Sequence, residues 1–374
     1  MSRPRVALDV SAVPGQPAGA GVYVLRLVEA LAASGEVDLN VVAAVGDGRR
    51  WERAAPGASV HAVAPGRRPL RLVWEQAQAP ALASRLGGVW HGPHYTMPLR
   101  ASGPAVVTIH DLTFFDHPEW HERAKVVYFR RMIRASAERA DALVCVSKHT
   151  AARLHAVLTP TAPVVVVPHG VDHGRFRVDG AGDGERLAAL GVRPPFVAFT
   201  GTLEPRKNVP ALVRVLARLA PAHPGLQLVL AGHRGWGGAE VDAAVAASGL
   251  GGRVVQLGYV DDDVLPALYR QAAAVAYPSL SEGFGLPALE ALACGAAVVT
   301  SSGSAMEEIV DGAALLVAPG DERALGEALE ALVDGGPEVS RLRAAGPAVA
   351  APHTWRRCAE RQVAVYRDAI ASVR

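Results

Sequence analysis

Cysteine is scarce in this chain: Cys145, Cys294 and Cys358 are the only three in 374 residues, each among apolar or alanine-rich neighbours. They offer no even framework and no C-x-x-C pair, which excludes a disulfide scaffold and predicts reduced thiols in a cytosolic setting. Long apolar runs are missing too. Stretches between charges or turn residues are strand-sized, whereas a spanning helix needs ~20 residues, so no membrane span is expected. The opening MSRPRVALDV enters a strand-like run without the apolar segment and cleavage site of a secretory signal, and a cytoplasmic location is expected. A large charge of either sign is also absent: 38 basic residues face 36 acidic ones. That disfavours a nucleic-acid protein relying on a global positive field. Lysine is rarest among the charges, with only Lys125, Lys148 and Lys207 beside 35 arginines.

The residues that are present point to an ordinary globular chain of ~2 domains. Half are apolar and a fifth are charged, which argues against disorder. Residues 1–172 carry 19 Lys+Arg against 14 Asp+Glu, and residues 173–374 carry 19 against 22, so the first half is the basic one. Short β-branched runs alternate with helical patterns twice along the chain, the signature of parallel sheets built from βαβ units. The first series runs from Val6–Val10 to Val164–Val167, and the second from Phe196–Thr200 to Ala314–Val317. Between them Pro168-His-Gly-Val-Asp-His-Gly174 and a Gly- and Asp-rich stretch to Gly184 read as a hinge. The expectation is an α/β protein of two Rossmann-like, doubly wound domains, 1–172 and 173–354, facing across a cleft. A last helix over 355–374 crosses back to the first. Such sheets bind ligands beyond the carboxyl ends of their strands, so the chemistry is expected in strand-to-helix loops.

The most informative segment is Pro278-Ser-Leu-Ser-Glu-Gly-Phe-Gly-Leu-Pro-Ala-Leu-Glu-Ala-Leu-Ala-Cys-Gly295. It leaves a strand and enters a helix with Pro287 in its first turn and Gly295 just past its end. Gly283 and Gly285 permit close backbone approach, and the free amides of the helix start favour an anion such as a diphosphate. Glu282 is best explained as an acceptor for sugar hydroxyls, and Glu290, one turn into the helix, as a partner for a diol such as ribose. A glycine-rich loop, Gly15 to Gly21, follows the first strand, but its spacing is not that of the dinucleotide fingerprint.

In this segment the chain resembles the retaining glycosyltransferases of family 4, which have the GT-B fold. Glu282 and Glu290 match the family's E-x7-E motif. The resemblance extends through GAGVYVLRLVEAL (19–31), TIHDLTFFDHPEW (108–120), VSKHTAARL (146–154), VPHGVD (167–172), GTLEPRKN (201–208) and LGYVDDDVLPALY (257–269). It implies that Lys207 and Arg206 hold the diphosphate of a nucleotide sugar and that His110 works beside the donor sugar with Glu282. Gly19, Gly21, Gly201, Thr202, Gly283, Phe284, Gly285, Leu286 and Glu290 would line the donor. The family's usual arginine after the glycine is Thr202 here, with Arg206 as substitute. Asp111 either orients His110 or caps the next turn.

The reaction so implied moves a hexose with retention to a glycan or lipid-linked acceptor, and the wording of GTLEPRKN favours GDP-mannose. A nucleotide-sugar 2-epimerase of similar fold and a catalytically inactive nucleotide-sugar-binding protein are the rivals. No metal and no cofactor are expected beyond the donor. Asp261-Asp-Asp263 resembles the D-x-D metal site of another glycosyltransferase fold, but it directly precedes a helix and is expected to cap it. His91-Gly-Pro-His94 lacks a third ligand. The helical segment Glu122 to Ala140, with Arg49-Arg50 and Arg67 to Arg71, gives the first domain a basic surface that reads either as an ordinary solvated face or as a site of peripheral contact with an anionic membrane. In that segment Val126, Val127, Phe129, Met132 and Ile133 do not form one clean stripe.

Overall fold

The structure is a computed structural model and describes residues 3–372. It divides into two compact units, one holding the described residues through Gly170 together with those from Trp355 on, the other Val171–Thr354. The first unit ends two residues before the boundary expected from sequence. The backbone already belongs to the second unit there: Val171 N–H donates to the His353 carbonyl at 3.0 Å and bridges Thr354. The stretch read as a hinge up to Gly184 is likewise partly ordered structure. Asp183 opens the helix Asp183–Ala189, is buried, and accepts from Arg270 Nε and Nη2 at 2.5 and 2.8 Å.

The first unit is built on a seven-stranded parallel sheet: β1 (Arg5–Asp9), β2 (Asp38–Ala44), β3 (Ser59–Ala64), β4 (Val89–Gly92), β5 (Ala105–Ile109), β6 (Ala142–Cys145) and β7 (Val164–Val166). Their order is β3-β2-β1-β4-β5-β6-β7. Alternation along the strands divides the core between the two faces, because successive side chains point to opposite sides. Val6 and Leu8 pack with helix Ala20–Ser34 and with Ala359, Val363 and Tyr366 of the C-terminal helix Trp355–Ser372. Ala7, Val107 and Ile109 face the other way, toward Phe129 and Ile133 of helix Arg123–Arg139.

In the second unit, β8 (Phe196–Thr200), β9 (Gln227–Ala231), β10 (Val254–Gly258), β11 (Ala274–Tyr277), β12 (Val298–Ser301) and β13 (Ala314–Val317) form a parallel sheet in the order β10-β9-β8-β11-β12-β13. β8, β11 and β12 are buried throughout, which is why they read as continuous apolar runs rather than alternating ones. In both sheets the strand order reverses once, between β1 and β4 and between β8 and β11. Parallel sheets of this kind bind ligands beyond the strand ends where the order reverses.

One sequence expectation changes. Asp263 sits at the start of helix Val264–Gln271 without a side-chain capping bond. Instead Asp262 pairs with Arg175 at 2.9 Å and Asp263 with Arg186 at 2.8 Å, while the Asp261 carbonyl takes the Val264 N–H. The carboxylates are drawn to arginines distant in sequence, a charge pairing that a local capping argument does not see. In helix Arg123–Arg139 the five apolar residues divide as expected: Val126, Phe129, Met132 and Ile133 are buried, and Val127 points outward.

Candidate active site

The loops after β8 and β11 carry the second unit's candidate residues, and the switch point makes them neighbours. The first loop turns through Pro205–Lys207 in a 3-10 geometry and is closed by Asn208 in the left-handed region, φ 52°. Leu280 N–H of the second loop donates to the Arg206 carbonyl at 2.7 Å, which ties the two loops together. Glu282, 7% exposed, receives Lys207 Nζ and Ser279 Oγ on Oε1, the latter at 2.9 Å, and Arg206 Nη1 on Oε2 at 2.6 Å. Arg206 Nε also donates to Glu204 at 2.7 Å. The four ionised groups therefore balance, two cations against two carboxylates.

Glu282, expected from sequence to accept sugar hydroxyls, has both of its oxygens engaged by the basic pair. Burial by itself would raise the Glu282 carboxyl, but Arg206 and Lys207 outweigh it and hold the group down to about 2. Burial and the Arg206 charge lower the Lys207 ammonium against the opposing pull of Glu282. Sequence reasoning missed Ser279 and Glu204; both lie within three residues of a motif glutamate or arginine, but neither residue type signals a role by itself.

Helix Leu286–Ala293 starts at Gly285, whose φ of 99° is left-handed. A Cβ added there would overlap Met306 Sδ, so glycine is required on two counts. Gly283, Phe284 and Leu286 are buried in the same turn. One turn into the helix, Glu290 accepts from the Tyr269 hydroxyl at 3.4 Å. That hydroxyl also lies 2.7 Å from Thr200 Oγ1, itself 2.7 Å from the Tyr277 hydroxyl. Burial raises both phenols and keeps them protonated, so the Tyr269 hydroxyl reaches Glu290 as a neutral donor. Gly201 stands at φ 142° and its N–H donates to the Ala231 carbonyl. Thr202, on the same loop, is half-buried.

In the first unit His110 follows β5 and is buried. Its Nε2 donates to the Pro93 carbonyl at 2.8 Å, which leaves Nδ1 as the unprotonated nitrogen of the neutral ring. Burial lowers the imidazole, opposed by the Pro93 bond and by Asp111, so the ring is neutral at physiological pH. Its backbone carbonyl is held by Thr150 Oγ1 at 3.3 Å. Asp111 accepts from the Thr113 N–H at 3.1 Å and the Thr113 hydroxyl at 2.7 Å. It therefore caps the turn, and the Pro93 carbonyl orients His110. Gly19, φ 51°, precedes helix Ala20–Ser34, where a side chain would meet nothing within 4 Å. Gly21 is inside that helix, with its N–H on the Ala18 carbonyl and the Pro17 side chain 3.2 Å from a would-be Cβ. Gly19 thus serves backbone conformation and Gly21 close packing.

Comparison with known proteins agrees along nearly the whole chain. A model of glycosyltransferase family 4 matches residues 17–175, and one of glycosyl transferases group 1 matches residues 188–349. The O-antigen chain mannosyltransferase B of Escherichia coli is 31% identical over 307 residues, covering 79% of this chain and 78% of that enzyme. A D-inositol 3-phosphate glycosyltransferase of Acidothermus cellulolyticus is 30% identical over 395 residues, covering 96% and 88%. Among solved structures, Anabaena HepE in complex with UDP-glucose superposes with a TM-score of 0.80 at 19% identity, covering 96% of this chain and 98% of that one.

Proposed function

This chain belongs to the glycosyltransferases of family 4, of GT-B fold, and from that premise we propose a retaining hexosyl transfer from a nucleotide diphosphate sugar to an acceptor hydroxyl. The observation that carries this reading is the Lys207–Glu282–Arg206 cluster between the loops of β8 and β11. A departing nucleoside diphosphate gains negative charge as the sugar leaves, and two fixed cations beside the start of helix Leu286–Ala293 stabilise it without reorganising. Glu282, tied by three donors, is not poised as a nucleophile. Front-face displacement is accordingly favoured, with the leaving phosphate taking the acceptor proton. His110, as a neutral imidazole with a fixed tautomer, holds the donor sugar. Glu290 takes the ribose, and no metal is assigned.

GDP-mannose is the favoured donor, supported by the identity with an O-antigen chain mannosyltransferase, and the favoured acceptor is a growing glycan or a glycolipid. The test is nucleotide release across a panel of nucleotide sugars, with and without glycan and lipid-linked acceptors, and assignment of the product anomer. Acceptor-dependent release, fastest with GDP-mannose and giving the retained anomer, is expected. A free epimerised sugar without acceptor, or binding without turnover, would overturn the reading in favour of an isomerase or a sensor.

Peripheral contact with an anionic membrane belongs to the same proposal. No described helix is long and apolar enough to cross a membrane. Helix Arg123–Arg139 instead leaves Val127 70% exposed on a face with Arg123 and Arg131, and helix Arg68–Ala77 leaves Leu70 and Val73 exposed near Arg67. Arg68 lies over the Phe129 ring at 5.7 Å, so the two helices are neighbours. Each basic residue near an anionic surface contributes ~1 kcal/mol. Sedimentation with anionic but not neutral liposomes, weakened by salt, is the expected result; indifference to anionic liposomes at low salt refutes it.

A further inference from the structure

Four buried side chains of the first unit form a continuous polar chain that the site above does not use. The Tyr366 hydroxyl, on the C-terminal helix, lies 2.7 Å from His91 Nδ1. His91 Nε2 lies 2.9 Å from Thr108 Oγ1, which in turn lies 3.2 Å from the Tyr23 hydroxyl. None of the four is more than 1% exposed. The strand period explains their meeting. Val89 and His91 on β4, and Val106 and Thr108 on β5, share the sheet face covered by helices Ala20–Ser34 and Trp355–Ser372. His110 continues that same parity beyond the end of β5.

Burial and the nearby His110 hold the His91 imidazole down to about 3, so it is neutral and has one N–H and one bare nitrogen. Each faces a hydroxyl, so one nitrogen donates, the other accepts, and neither is left for a metal. A buried polar network that is satisfied at every link is stiff, because breaking one bond strands a polar group away from water.

The far end of this chain meets His110. The Tyr23 ring stands edge-on to the His110 imidazole, with centroids 5.2 Å apart and planes at 78°. It also packs on His169 at 4.5 Å. The Pro93 carbonyl fixes Nε2 of His110, and the Tyr23 ring limits where the imidazole can tilt. We propose that Tyr23 is a positioning residue for His110, and that the C-terminal helix fixes Tyr23 through Tyr366, His91 and Thr108. The consequence for turnover rests on the reading that His110 holds the donor sugar; the structural linkage does not.

The experiment uses full-length protein labelled with 15N-histidine, whose long-range spectra report the tautomer and environment of each imidazole. Tyr23→Phe and Tyr366→Phe keep the rings and remove the hydroxyls. Both should shift the His110 ring signals, although Tyr366 does not touch His110. Both should lower nucleotide release roughly 3- to 10-fold, with the donor KM unchanged, as expected for a small misplacement of a reacting group. The double variant should be no worse than the more severe single one, because both break one chain. Thr108→Val cuts the same chain at its middle and gives the same reading if Tyr366→Phe does not fold. His110→Ala with normal turnover would sink the functional reading, while shifted His110 signals in Tyr366→Phe would still support the linkage. Unchanged His110 signals in both Phe variants overturn the proposal.

Discussion

Replacing Glu282 by Gln keeps the shape of the side chain and removes its charge. The structure makes the consequences calculable, because Glu282 is the shared counter-ion of Lys207 and Arg206. Its carboxyl is lowered from 4.5 to about 2, and at 1.36 kcal/mol per unit this corresponds to a preference for the ionised form on the order of 3 kcal/mol. Glu282→Gln should therefore destabilise the protein by up to ~3 kcal/mol at neutral pH, the lower part of the range seen when one partner of a buried ion pair is removed. For a carboxylate with a depressed value, the stabilisation is complete above the unfolded value of about 4.5 and is lost as pH falls toward 2. The gap between wild type and variant should close over that interval. Binding should move the opposite way. With Glu282 neutral, the four-group cluster changes from balanced to one net positive charge, and an added attraction of ~1 kcal/mol tightens a nucleoside diphosphate several-fold. Turnover should nevertheless collapse, since the sugar contact expected of Glu282 from sequence is gone. Lys207→Ala, which removes a cation, should weaken the diphosphate instead. Thermal unfolding across pH, calorimetry with GDP and with UDP, and donor turnover together read all of this. A larger loss of diphosphate affinity in Glu282→Gln than in Lys207→Ala would refute the reasoning.

Three further outcomes are expected. His110→Ala should cut turnover by at least ~10-fold, and the wild-type rate should show no imidazole titration between about pH 6.5 and 8, because burial lowers the His110 value; a pH–rate profile of both proteins checks each point. Glu75 is buried beside Asp9 and raised to about 7, so its native form holds a proton that the unfolded form releases, and stability declines as pH rises from about 4.5 to 7. Glu75→Gln should remove that decline and melt higher than wild type near pH 8 but not near pH 5; equal melting at both values would contradict the burial argument. Gly285→Ala forces a Cβ into Met306 at a left-handed φ, a strain of at least 1–3 kcal/mol, and should lower both the melting temperature and donor affinity; near-normal values for both would show that the turn relaxes.

The sequence alone located most of the chain's regular structure, because the signals are local. β5, β8, β9, β11 and β13 are bounded in the structure as their β-branched runs indicate, and helix Leu286–Ala293 is delimited by Pro287 and Gly295. The candidate residues Glu282, Glu290, Lys207 and His110 were picked out by motif wording that resembles the family, in segments that follow predicted strands. What tertiary structure alone decided are the partners. Glu282 and Lys207 are 75 residues apart, and only the strand reversal between β8 and β11 brings them together. That contact gives a carboxylate expected to meet sugar hydroxyls two cationic partners as well. Asp111 could be assigned only when Thr113 and Pro93 were seen to divide the capping and orienting roles. His91, a dismissed metal ligand in sequence, became the middle of a buried chain because Tyr366 arrives from 275 residues away. Periodicity encodes which face a side chain takes, since that depends on neighbours two to four positions off. Which charge or hydroxyl waits on that face depends on how distant strands are ordered in the sheet, and no local pattern contains it.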